Sequence, residues 1–226
     1  MAKVAKSIWI REALLSAAIA LAGVVLSGNV DARAQQFSAD IVVEREGGRT
    51  PAGRVFVLEG KTRIETPELA DGFFLVDRAR QTAYFVRRSG RVYMDARQSS
   101  PLTRLLVPVD PVDPCRQWQA MADVAGIVGH GDLRCEQAGE EAIDGRDSIV
   151  FRVVSGSEEI FSGWVDQERG FPLRIKTSGG IVTSLENVKD EPQLASSFEL
   201  PPNARKFSPE ALIERIKQSD VWVSDP

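Results

Sequence analysis

Side chains able to do bond chemistry are few here. His130 is the one histidine of the chain, and it stands in Gly129-His130-Gly131. A general base can work from a loop, but it needs a partner within hydrogen-bond reach. No Gly-x-Ser-x-Gly elbow supplies one. His130 therefore reads as a solvated loop residue. Carboxylates gather beside turns, with Glu140, Glu141 and Asp144 in one place and Glu158 and Glu159 in another. Paired carboxylates can share acid–base work, but charges flanking turns are ordinarily solvated. Asp77, Asp144 and Asp166 are expected to hold turns through side-chain to backbone hydrogen bonds. No phosphate loop, dinucleotide fingerprint or zinc spacing occurs. These residues predict no catalytic group, no metal and no cofactor: the expectation is a protein that is not an enzyme.

The two cysteines, Cys115 and Cys135, are even in number and expected to form one disulfide. A disulfide needs an oxidising compartment, and the first residues point to one. Lys3, Lys6 and Arg11 precede an apolar run from Ala13 to Leu26. That run is short for a membrane span, and Ala32-Arg33-Ala34 fits a signal-peptidase site. Residues 1–34 are expected to be a signal peptide cleaved after Ala34. Leu26-Ser27-Gly28 resembles the front of a lipoprotein signal, but Asn29 stands where the acylated thiol would be. The expected product, residues 35–226, is a soluble protein of the periplasm with no stable membrane span. Setting aside Lys3, Lys6, Arg11, Arg33, Glu12 and Asp31 leaves 24 basic and 30 acidic residues, a net charge of about −6. Nucleic acid, which needs a basic footprint, is excluded as a partner.

The elements that must position any site are short and extended. Runs over 37–46, 54–58, 61–66, 73–77, 81–88 and 91–96 alternate with turn residues every eight to twelve positions. That rhythm predicts an all-β meander with antiparallel neighbours. Proline-rich residues 99–114 interrupt it. Trp118, Met121, Ala122 and Ala125 then have helical spacing, so the cysteine-bracketed insert of about 99–135 is expected either to lie over the sheet as a flap or to cover an edge. The meander resumes through Asp144-Gly145, a strong hairpin signal. Gly163-Trp164-Val165-Asp166, a polar turn, and Phe171-Pro172-Leu173-Arg174-Ile175 form the hairpin that sets the pattern for the rest. A helix is expected at about 208–219, with Ser208 as N-cap and Pro209 at its first position. The resulting fold class is mainly β: one curved antiparallel sheet of ten to twelve strands forming an incomplete, half-open barrel with helices over the concave face.

Gly163-Trp164-Val165-Asp166 followed by Phe171-Pro172-Leu173-Arg174 resembles the hairpin of the LolA/LolB-like superfamily of periplasmic lipoprotein carriers. Leu185-Glu186-Asn187-Val188 and Phe198-Glu199-Leu200-Pro201 are similar to its closing strands. Gly53-Arg54-Val55-Phe56-Val57 with Lys61-Thr62-Arg63-Ile64-Glu65 is similar to its early hairpin. The resemblance spans about 37–207. It implies a half-barrel that carries acyl chains, lipid or lipoprotein on an apolar concave face. An alternative is a periplasmic protein-interaction or envelope-stress sensor module of the same fold. Two departures from the family are expected: after cleavage, Gln35-Gln36 leaves no room for the helix that precedes the family's first strand, and the Pro-rich, cysteine-bracketed insert is not typical of its carriers. The partner is thus expected to be a hydrophobic ligand or a periplasmic or outer-membrane protein. Phe56, Leu58, Phe74, Tyr84, Tyr93 and Trp164 are the expected apolar lining.

Overall fold

The structure, a computed structural model, describes residues 35–125 and 133–209. The expected signal peptide, His130 and the C-terminal run from 210 lie outside the described residues. Twelve strands are present among those described. They are β1 (Gln36–Arg45), β2 (Gly48–Leu58), β3 (Lys61–Glu65), β4 (Gly72–Asp77), β5 (Thr82–Arg87) and β6 (Val92–Asp95), then β7 (Leu133–Ile143), β8 (Arg146–Ser155), β9 (Glu158–Asp166), β10 (Phe171–Thr177), β11 (Val182–Asp190) and β12 (Arg205–Lys206). Two short helices, α1 (Leu102–Leu105) and α2 (Pro114–Val124), fall between β6 and β7.

All twelve strands join one sheet in the order β12-β6-β5-β4-β3-β2-β1-β11-β10-β9-β8-β7. Two meanders, β1–β6 and β7–β11, are stitched together by the antiparallel pair β1–β11. The sheet does not close, and β12 and β7 are its edges. Neighbours are antiparallel except at β12, which lies parallel to β6. The rule that close neighbours pair antiparallel does not reach β12, because the chain from β6 to β12 is long enough for any crossover.

Cross-strand partners fix which residues share a face. Phe37 pairs with Val57, Val55 with Ile64, Ile64 with Phe74, Thr62 with Val76 and Val76 with Ala83. Ile41 pairs with Leu185, and Gly163 sits between Phe151 and Ile175. Nearly all of these apolar residues are buried, and they form the interior face. Val76 and Ala83 share one buried cluster with Phe151, Phe161 and Ile175. In the sheet order β4 and β9 stand six strands apart, about 29 Å on a flat sheet. One cluster can hold both only because the sheet curls and the insert bridges the gap. Trp118, Met121, Val107 and Val109 of the insert are that bridge.

Three elements differ from expectation. β2 runs back through Pro51 and Gly53 to Gly48, where turn residues suggested a loop. β2 pairs with β3 only from Arg54 onward, so the segment before it has one open side and tolerates a missing donor. β7 starts at Leu133, inside the expected insert of about 99–135, so that Cys135 lies in the strand. α2 begins at Pro114, with Asp113 as N-cap accepting from the Arg116 N–H at 3.3 Å.

The β9–β10 turn is held by charge. Asp166, 2% exposed, accepts from the backbone N–H groups of Glu168 and Arg169 at 2.8 and 2.9 Å and from the Arg169 guanidinium at 2.8 Å. Arg169 also donates two bonds to Asp190 at the end of β11, at 2.9 and 2.7 Å. These bonds, against partial desolvation and aided by the charges of Arg169 and Arg146, hold the Asp190 carboxyl below its usual range. A depressed folded pKa stabilises fully above the unfolded value of about 3.9 and is lost as pH falls through the folded one. Asp190→Asn is expected to lower Tm at neutral pH, with the gap to wild type closing as pH is taken down from about 4 in a thermal-melt series. A gap unchanged at about pH 2, below the unfolded value, contradicts the charge account.

Candidate functional site

The candidate site is where the insert meets the interior face. α2 carries Cys115, Trp118, Met121 and Ala122 on its buried side, the spacing that the sequence shows. Trp118 is the centre. Its ring meets Phe161 edge-on, with centroids 5.1 Å apart. Its indole N–H donates to the Leu105 carbonyl at 3.2 Å, tying α2 to α1. Below it lies Gly163, where an added Cβ would stand 2.8 Å from the indole carbon Cη2. Real Cβ contacts are not that close, so a glycine at 163 is the condition for this seat.

Four further links pin the insert. Cys115 and Cys135 form the expected disulfide, with Cα atoms 5.6 Å apart, and join α2 to β7. Closing a loop of this length stabilises by about 3 kcal/mol in the chain-entropy account. The Leu133 N–H donates to Gln119 Oε1 at 3.4 Å on the same flank. Gln98 donates to the Ala125 carbonyl at the end of α2, at 2.7 Å. The Val109 N–H donates to the Gly170 carbonyl at 2.7 Å. Gly170 has φ +56, and a Cβ there would come within 2.6 Å of the Val109 carbonyl. The hairpin turn is thus both the end of β9 and the dock for the insert.

Between α1, α2 and β9 remains a cavity of about 160 Å³. Leu105, Trp118, Ala122, Leu133, Ile160 and Phe161 give it apolar walls, and Arg104 adds a cation. Ligand pockets usually measure at least about 300 Å³, so the insert largely fills the hollow it covers. Two polar groups are buried without a protein partner among the described residues: the Thr62 hydroxyl on the interior face and the Gln117 amide nitrogen on α2.

Of the residues expected to line the hollow, Phe74 lies on the interior face. Phe56 alternates with buried Val55 and Val57 and points the other way, with Arg54 near its ring. Leu58, which ends β2, shares its side. Tyr84 and Tyr93 also face outward, packing with Phe73, Leu75, Val86 and Leu200. Trp164 alternates with Gly163 and Val165 toward the outer side and donates to Glu141 at 2.7 Å, while its half-buried ring also packs against the interior cluster that holds Phe171 and Leu173. It borders a larger outward groove of about 930 Å³ that includes Arg49, Arg146, Arg174 and Lys176 facing Glu44, Asp144 and Glu186. Arg49 pairs with Glu186, Arg146 with Asp190 and Arg174 with Glu141. Matched, solvated ion pairs of this kind form an ordinary outer surface. The residues that do line the interior and that the expected set lacks are Trp118, Met121, Phe151, Phe161 and Ile175. Helical spacing pointed to the first two.

No group of three or more metal-ligating side chains is present among the described residues. No described helix is long and apolar enough to cross a membrane.

No family model and no curated protein matches the chain in sequence. Solved structures that it resembles include an uncharacterized conserved protein from Thermus thermophilus, at 11% identity and TM-score 0.45, covering 78% of this chain and 92% of that one. Another is the Pseudomonas aeruginosa MucA/MucB complex, at 15% and 0.40, covering 74% of this chain and 57% of that one. A third is a putative outer membrane lipoprotein-sorting protein domain from Vibrio parahaemolyticus, at 10% and 0.37, covering 75% and 93%. Likenesses at this level carry nothing about ligand or activity.

Gly163→Ala is expected to push Trp118 off its seat and cost about 1–3 kcal/mol in denaturant unfolding. It is also expected to raise amide exchange across α2 above that of β3. An unchanged unfolding midpoint would show that the seat has room to spare.

Proposed function

We propose that the protein is an exported binding or carrier protein for an apolar ligand of acyl-chain size, held between the insert and the interior face of the sheet. One observation supports this reading most. The apolar face of an open sheet is covered by a separate segment, inserted between two meanders and pinned at a few points, instead of by a second sheet. Cover and ligand compete for the same surface. Withdrawing Trp118 and Met121 would expose apolar area worth about 5 kcal/mol. A chain of a dozen buried methylenes contributes about 10 kcal/mol before ordering costs. A long chain can therefore replace the cover, whereas a short one cannot.

The disulfide fits such a device, because it tethers the first turn of α2 to β7 at Cys115 while the rest of the helix, with Trp118 and Met121, lifts. Export to the periplasm, the origin of the disulfide in an oxidising compartment, and the absence of any catalytic role belong to the same proposal. Phe74, Trp118, Met121, Phe151 and Phe161 are its lining.

Organic extraction and mass spectrometry of the protein purified from the exported fraction of its own cells is expected to yield acyl-bearing species. A fluorescent fatty acid is expected to bind the emptied protein, and faster after Cys115–Cys135 is reduced. No acyl species together with no fluorescent binding would end the carrier reading.

A second reading, a protein-interaction or sensor module, is favoured by Val112, which is 89% exposed on the insert. It predicts that Val112→Glu abolishes pull-down of a partner protein and leaves fatty-acid binding unchanged. Loss of fatty-acid binding in that variant would favour the carrier instead.

A further inference from the structure

We propose that Arg104 is the headgroup contact of the cavity beneath the insert, and that the ligand is a single-chain amphiphile with an anionic head. A carboxylate or phosphate oxygen would accept from the guanidinium while the alkyl chain lies against Trp118, Ile160 and Phe161. This rests on the carrier reading above and adds the charge of the ligand to it.

Arg104 is the one charged residue lining the cavity among the described residues. Its guanidinium donates through Nη1 to the carbonyls of Arg97 at 2.9 Å and Ser100 at 3.4 Å. Both acceptors are neutral. Nε and Nη2 have no described partner, and no described carboxylate forms an ion pair with Arg104. Other half-buried arginines mostly meet carboxylates: Arg63 meets Glu65, Arg146 meets Asp190, and Arg169 meets Asp166 and Asp190. Arg78 also lacks an ion pair with a described carboxylate, but it does not line the cavity. Burial without a counter-charge pushes the Arg104 pKa down from its usual value. Partly desolvating a cation beside apolar walls is costly unless an anion reaches it. The two carbonyls hold the guanidinium in place and leave its remaining donors available. Charge-assisted bonds to such a group are the stronger kind of hydrogen bond.

The test is displacement of a fluorescent apolar dye from the full exported chain with its disulfide intact. Competitors are myristate, monotetradecyl phosphate and tetradecanol, which share a chain length and differ in head. The wild-type protein is expected to favour the anionic competitors over tetradecanol by about tenfold. Arg104→Gln is expected to abolish that preference while shifting tetradecanol by no more than about twofold. Arg104→Lys is expected to keep part of it. A larger gain for myristate identifies a fatty-acid head, and a larger gain for the phosphate identifies a phosphorylated one. Equal weakening of all three competitors in Arg104→Gln would assign Arg104 to bridging Arg97 and Ser100 and overturn the proposal. So would a wild-type protein that takes tetradecanol as well as the anions, which leaves the carrier reading standing. If none of the three displaces the dye, the carrier reading falls and the headgroup assignment with it.

Discussion

An unclosed sheet with one apolar face must have that face covered. Here a single segment does so, and its key contact is Trp118 resting on Gly163. The other devices support that contact. Pro114 and the Asp113 cap start α2 where Cys115 can reach Cys135. Gly170 lets Val109 approach the hairpin turn, and Gln98 closes the far end of the helix. The turn that receives Val109 is itself locked through Asp166, Arg169 and Asp190. Removing the indole would leave an apolar sheet curled around too little material to fill it.

That dependence shapes the functional proposal. In an ordinary core the same residues always fill the same space. Here the filling is tethered at one end by a disulfide and elsewhere by single hydrogen bonds and apolar packing, which another apolar object can replace. The small cavity beside Trp118 marks where the packing is least complete, and the uncompensated Arg104 stands in its wall. By contrast, three of the four cations in the larger outward groove, Arg49, Arg146 and Arg174, are already matched by carboxylates.

The hairpin rhythm, the Asp144-Gly145 turn, the anchoring role of Asp166 and the cysteine pairing were all legible in the sequence, because each rests on local chemistry. Phe56 shows where legibility stops. Val55, Phe56 and Val57 are all apolar, so alternation cannot tell inside from outside, and only pairing with Arg63 rather than Ile64 places Phe56 outward. Tyr84 and Tyr93 were misleading for a related reason. The outer face carries its own apolar patch, capped by Leu200 from far along the chain. Pro51 and Gly53 resemble a turn, yet they continue β2 because one side of that segment has no neighbour. Arg104 gave no sequence signal at all, since its partners are backbone carbonyls and its significance is a missing counter-charge.

The most direct test of the central claim is to map covalent adducts of a photoactivatable fatty acid by peptide mass spectrometry. If the face beneath the insert is the ligand site, labels fall on Trp118, Met121, Phe151 and Phe161. Labels confined to the outward patch around Phe73 and Tyr93, or to none of the described residues, would contradict it.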